Sequence, residues 1–190
     1  MPRVDPAEFE SLPLRVFQLV PGFPLHDVWL VELDDSPECS LQDLRGLVQF
    51  ASRRSLNPIV RGLFSFRSLL GRVFRLDRVP ADRSGIVDSV PEELVATSLV
   101  APGTPEGPFQ TLYASPTEAA YQALNATVHA ILIVTIVRGA AGYRFFWATY
   151  VKPVGRITAL YMRVIDPFRR LVVYPGLETW LKRSWSSRSA

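Results

Sequence analysis

Several residue types and patterns are scarce in this chain of 190 residues, and each scarcity removes a class of function. One cysteine, Cys39, excludes an internal disulfide framework and any all-cysteine zinc site. Two histidines, His26 and His129, argue against a metal centre built from several imidazoles. Only Lys152 and Lys182 are lysines, the other 19 of the 21 basic residues being arginine. No nucleophile elbow, Walker A loop, H-E-x-x-H motif or strand–GxGxxG–helix unit is present. The longest apolar run, Ala126 to Val137, is too short for a membrane span of about 20 residues, and its Val, Ile and Thr favour a buried strand. Residues 1–10 carry Asp5, Glu8 and Glu10 without an apolar stretch, so they do not read as a signal peptide. The expected location is the cytoplasm.

What remains is ordinary globular material. Apolar residues make up 48% and charged residues 21%, with a net charge of +3. One domain over residues 1–190 is expected, and a chain of this length buries roughly 70% of its unfolded surface.

The net charge conceals a strong segregation. Residues 1–44 hold two Arg against nine Asp and Glu, and residues 45–83 hold nine Arg against Asp77 and Asp82. Residues 84–151 net −3 and residues 152–190 net +6. Arg61, Arg67, Arg72 and Arg75 alternate with Phe64, Phe66 and Phe74, which superficially suits nucleic-acid stacking. The preferred reading is an amphipathic helix whose arginines face water near the acidic N-terminal block. No nucleic-acid partner is expected.

Periodicity predicts a strand over His26–Leu33, closed by the turn Asp34-Asp35-Ser36-Pro37. Two helices should follow, one capped by Ser40 and one opening at Asn57-Pro58. Leu94–Val100 reads as a strand, and Ala101–Pro108 as a surface loop too rich in proline to cradle phosphate. Phe109–Ser115 and Glu118–Leu124 read as strands turned at Ser115-Pro116. A hairpin spans Asn125–Lys152. Setting Arg138 opposite Tyr143 puts Leu132, Val134 and Ile136 across from Thr149, Trp147 and Phe145 on an apolar face. The other face, pairing His129 with Lys152, Ile131 with Tyr150 and Thr135 with Phe146, reads as mixed. From Arg156 onward a long amphipathic helix is predicted, kinked at Pro167 and broken at Pro175-Gly176. The expected architecture is α+β: a curved antiparallel sheet around a long C-terminal helix, with two helices inserted in the N-terminal half.

The stretches Phe146–Gly155 (FWATYVKPVG), Ala159–Met162 (ALYM), Ile165–Arg170 (IDPFRR) and Val173–Pro175 (VYP) resemble the C-terminal signature of a bacterial family. It is domain-of-unknown-function family 2867, similar to the START-like, or SRPBCC, helix-grip superfamily. The resemblance implies a helix-grip fold and a cavity able to take an apolar ligand. It implies no catalytic residue and no cofactor.

Three functions are open at this point. The first is binding of an apolar or lipid-like molecule between sheet and helix, lined by Leu132, Val134, Phe145, Trp147, Tyr161 and Ile165. Aromatic-lined apolar concavities are the common form of such sites, although the same residues serve equally as core. The second is a cofactor-independent cyclase, isomerase or hydratase using that cavity, with His129 or Tyr150 as acid or base. Lys152 opposite His129 would favour a neutral imidazole. The third is an interaction module that docks an anionic membrane or a protein through the arginine-rich surfaces. Neither Cys39, opposed by Glu38 and Asp43, nor the acidic turn Glu32-Leu33-Asp34-Asp35 is expected to carry chemistry. His26 beside Asp27 is expected at the surface.

Overall fold

The computed structural model describes residues 2–35, 85–106, 109–124, 128–154 and 169–186, with residues 158, 162–163 and 166–167. The two helices expected between Ser40 and Phe74 lie outside the described residues, as do Tyr161 and Ile165.

The chain forms a six-stranded antiparallel sheet in the order β1-β6-β5-β4-β3-β2. Its strands are β1 (Leu25–Asp34), β2 (Pro105–Glu106), β3 (Phe109–Ala114), β4 (Glu118–Leu124), β5 (Val128–Arg138) and β6 (Gly142–Pro153). Strands β2 to β6 follow one another as a meander, and β1 returns to pair with β6. The β5–β6 hairpin has the register expected from the apolar pattern, from Arg138 opposite Tyr143 to His129 opposite Lys152. Gly142 closes it at φ 147°, and a Cβ there would lie 2.3 Å from the Leu33 carbonyl oxygen, so only glycine lets β1 approach.

Both faces of the sheet are core. The side expected to be mixed buries Ile131, Ile133, Thr135, Phe146, Ala148 and Tyr150. N-terminal pieces cover it: α1 (Pro6–Glu10), a 3₁₀ turn Arg15–Leu19, a second 3₁₀ turn Val87–Ser89 and α2 (Glu92–Thr97). The Leu94–Val100 strand is thus corrected to a helix plus an extended exit. Glu92 and Glu93 sit in the first turn of α2, where carboxylates complement the helix dipole, and Leu94 alone is buried.

The opposite face receives the C-terminal helix. A π-helical turn, Arg169–Val173, leads into α3 (Tyr174–Ser186). The chain does not break at Pro175-Gly176 as expected. Pro175 follows directly on the π turn inside one continuous helical run, Arg169–Ser186, where the irregular turn before it accommodates the missing N–H. Tyr174, Leu177, Leu181 and Trp185 form the buried stripe, at spacings of three and four residues. Among the described residues no helix is long and apolar enough to cross a membrane.

Candidate functional site

Strand alternation writes a gradient along the β1–β6 border on the helix-facing side. The cross-strand pairs run Asp27–Thr149, Trp29–Trp147, Val31–Phe145 and Leu33–Tyr143, from polar to apolar. The C-terminal helix follows this gradient. At its far end the Trp185 indole donates to the Asp34 carbonyl at 2.9 Å and its ring meets Tyr143 edge-on at 5.3 Å.

At the near end the π turn carries Arg169 into a buried network. The guanidinium donates to Asp27 at 3.0 Å, to Thr149 Oγ1 at 2.7 Å and to Asp166 at 3.3 Å, and it also touches the Tyr174 hydroxyl. Tyr174 in turn donates to the second Asp27 oxygen at 3.1 Å. Burial pushes the Tyr174 phenol up, so it stays a neutral donor. His26 Nε2 meets Asp166 at 2.9 Å. His26 is therefore half-buried and hydrogen-bonded to Asp166 at the start of β1, where a surface group was expected. The two partners lie 140 residues apart, so sequence spacing gave no signal of the contact.

His26, Asp27 and Asp166 bring ligand atoms within 4.8 Å of one another, a spacing that suits a metal ion. Both Asp27 oxygens are already hydrogen-bonded, and Arg169 supplies positive charge where a cation would sit. The arrangement acts chemically as an ion-pair clasp that pins the start of the helix to β1.

Away from the clasp the helix-facing side becomes a strip of apolar and small residues. Leu132 on β5, Tyr121 and Ala119 on β4 and Ala114 on β3 are buried there. Alanines also pair across β4 and β5 at Ala123–Ala130. The strip ends in polar groups. Thr111, opposite Tyr121, has no exposed surface and its Oγ1 has no hydrogen-bond partner. Glu106, opposite Phe109 on the same side, is also buried. The Trp29 indole N–H is a further buried donor without a partner on this face.

Four of the residues expected to line a ligand site, Leu132, Val134, Phe145 and Trp147, share this side and one apolar cluster with α3. The expected acid–base candidates do not join them. His129 and Tyr150 face the N-terminal elements, because the strand period of two places them opposite Leu132 and Trp147. One cavity on one face cannot be lined by both sets. His129 is 8% exposed, lies edge-on to Phe23 at 4.8 Å, and leaves Nε2 without a partner. Burial first, and then Lys152, push its imidazole down and keep it neutral. Tyr150 is pushed up, by burial and then by Glu10.

On the same N-terminal side, Glu118 accepts the backbone N–H groups of Arg15 at 3.3 Å and Val16 at 3.2 Å. Burial nevertheless pushes this carboxyl up. Sequence reasoning missed Glu118, which stands in a strand with no motif around it.

No curated protein and no solved structure matches the chain significantly. A family model of proteins of unknown function, DUF2867, matches residues 19–176. By that match, which spans the whole sheet and reaches the first turn of α3, the chain belongs to the DUF2867 family.

Proposed function

We propose that the protein binds an apolar small molecule in the layer between the sheet and its C-terminal helix, as a relative of the helix-grip domains. The observation that supports this reading is a mismatch of widths among the described residues. The helix-facing surface extends from β1 to β3, four strand spacings or ~19 Å. A helix with its side chains is about 10 Å across, and this one is anchored to β1 and β6 through Asp27, Thr149, Asp34 and Tyr143. The strip of Leu132, Tyr121, Ala114 and Ala119 beside it is apolar, of low relief and closed to solvent, so a ligand there would be enclosed. Small side chains at Ala114 and Ala119 suit a flat ligand body.

All four tryptophans, Trp29, Trp147, Trp180 and Trp185, belong to this layer, so intrinsic fluorescence reads it directly. Mass spectrometry of the purified protein should detect a retained apolar compound. Delipidated protein should change its emission on taking up 1-decanol. Ala119→Leu, which fills the strip, should abolish that change while the melting transition remains cooperative. Protein that carries no compound and responds to no apolar probe would refute the reading.

A second reading, a cofactor-independent cyclase, isomerase or hydratase, is favoured by the neutral and unpartnered His129. It requires a separate site on the N-terminal face, where His129 and Tyr150 are diagonal neighbours across β5 and β6. An activity lost in His129→Gln and retained in Ala119→Leu would select it. The docking of an anionic surface through residues 45–83 concerns a segment outside the described residues. Of the C-terminal cations, Arg169 is turned inward and Lys182 pairs with Glu178. No metal or organic cofactor is invoked in any of these readings.

A further inference from the structure

We infer that the outward side of the π turn before α3 is a docking site for an anionic lipid bilayer, with Leu171 sinking into the surface beside Arg163 and Arg170. The inference does not depend on the ligand reading, since no residue of the sheet–helix layer enters it. The π turn stands where Arg169 and Tyr174, five residues apart, both reach Asp27. Turning those two side chains inward leaves Arg170 and Leu171, between them, outside. Leu171 is 77% exposed, the most exposed large apolar side chain among the described residues. A lone exposed leucine is ordinary. This one lies four residues from Pro167 and four from Pro175, both exposed, so three apolar side chains follow one another along the outward side.

Charge selects the partner. Residues 152–190 hold eight basic residues and only two acidic ones, Asp166 and Glu178. Both acids are engaged, Asp166 with His26 and Arg169, and Glu178 with Lys182. Arg163 and Arg170, eight residues and one residue before Leu171, are exposed on its side of the run. Neither pairs with a carboxylate among the described residues. A guanidinium stays charged at any working pH, so this side is positive. Phosphates of a nucleic acid would use the arginines and waste the leucine. A protein partner would need complementary relief well beyond a ridge one helix wide. A bilayer uses both, because anionic headgroups attract the cations and the acyl boundary takes the apolar side chain. Two arginines and one leucine make such docking weak, reversible and dependent on lipid charge.

The experiment sediments the full chain with vesicles of phosphatidylcholine alone and of phosphatidylcholine mixed with phosphatidylglycerol, at low and at physiological salt. The mixed vesicles should retain the protein at low salt and release it as salt screens the charges, and neutral vesicles should not hold it. Leu171→Ser should weaken retention about 10-fold, the transfer loss of one leucine. Arg163→Gln combined with Arg170→Gln should weaken it roughly 25-fold, about five-fold for each cation near the surface. Arg138→Gln removes an exposed cation at the tip of the β5–β6 hairpin and should leave retention unchanged, which separates this face from net charge. Every substituted side chain is exposed, so each variant should melt at the wild-type temperature. Equal retention on neutral vesicles, or wild-type retention in Leu171→Ser or in the double arginine variant, would overturn the inference. So would an equal loss in Arg138→Gln, or no retention by the mixed vesicles at low salt. In that last case a dimer in sedimentation velocity that Leu171→Ser abolishes would assign the ridge to a second copy of the chain.

Discussion

The two faces of this sheet are built from the same alternating strands and are closed in opposite ways. The helix face is covered along β1 and β6 by one continuous C-terminal element, fastened at each end by a named polar contact. The other face is covered by two short helices and two 3₁₀ turns drawn from the first half of the chain. Each face also holds a deeply placed carboxylate bound by groups of a different kind. Asp27 is answered by the Arg169 guanidinium and a phenol, whereas Glu118 is answered by two backbone N–H groups. The difference teaches where stability is concentrated. The helix face is held by one long element with a buried charge clasp at its start, and the N-terminal face by several short elements.

The largest test of this contrast is removal of the clasp. Arg169→Ala leaves Asp27 buried without its cation and should cost about 3–5 kcal/mol in urea unfolding. Asp27→Leu combined with Arg169→Met should recover most of that loss, because an apolar pair of similar volume escapes the desolvation penalty. Recovery absent in the double variant would mean that the clasp contributes through its geometry and not through charge.

Cavity-forming substitutions sharpen the comparison next. Leu181→Ala under the helix and Leu94→Ala in α2 each delete a fully buried side chain and should cost about 2–5 kcal/mol. If the faces form one cooperative unit, both shift a single transition seen alike by tryptophan fluorescence and far-UV circular dichroism. Hydrogen exchange that loses protection only around α1 and α2 in Leu94→Ala would show that the N-terminal layer opens by itself.

The readability of these features in the sequence divides along physical lines. The hairpin register was legible, because an alternating run of Leu132, Val134 and Ile136 facing Phe145 and Trp147 loses its apolar side on slipping by one residue. The strands of β1, β3 and β4 were legible for the same reason. Segment 94–100 misled because Leu, Val and Ala at short range fit either period, and the deciding signal was the pair of glutamates before them. Pro175 misled because a π turn before it absorbs the missing hydrogen bond, and tertiary contacts of Arg169 and Tyr174 hold that turn. The clasp joins residues from opposite ends of the chain, and nothing local announces it. Thr111 was invisible too, since a threonine in a strand acquires meaning only when its hydroxyl is found buried and unanswered.

The smallest effects distinguish the faces by pH, with opposite signs at two residues of the N-terminal side. His129 is held below its ordinary pKa of 6.5, so under acid conditions the unfolded chain binds the proton more readily. Its contribution is therefore complete above pH 6.5 and is lost as the pH falls toward the lowered value. Glu118 is held above its ordinary 4.5, so the folded chain keeps that proton longer. Its contribution is complete below pH 4.5 and is lost as the pH rises through the raised value. Between these limits the two slopes oppose each other. Urea unfolding of Glu118→Gln, taken as a difference from wild type, should show stability rising relatively with pH across this interval. His129→Leu, which removes an unpartnered polar group beside Phe23, should show the reverse slope and gain most in acid. Parallel difference curves for the two variants would mean that the N-terminal layer does not bury these groups in solution. The contrast between the faces would then rest on the clasp alone.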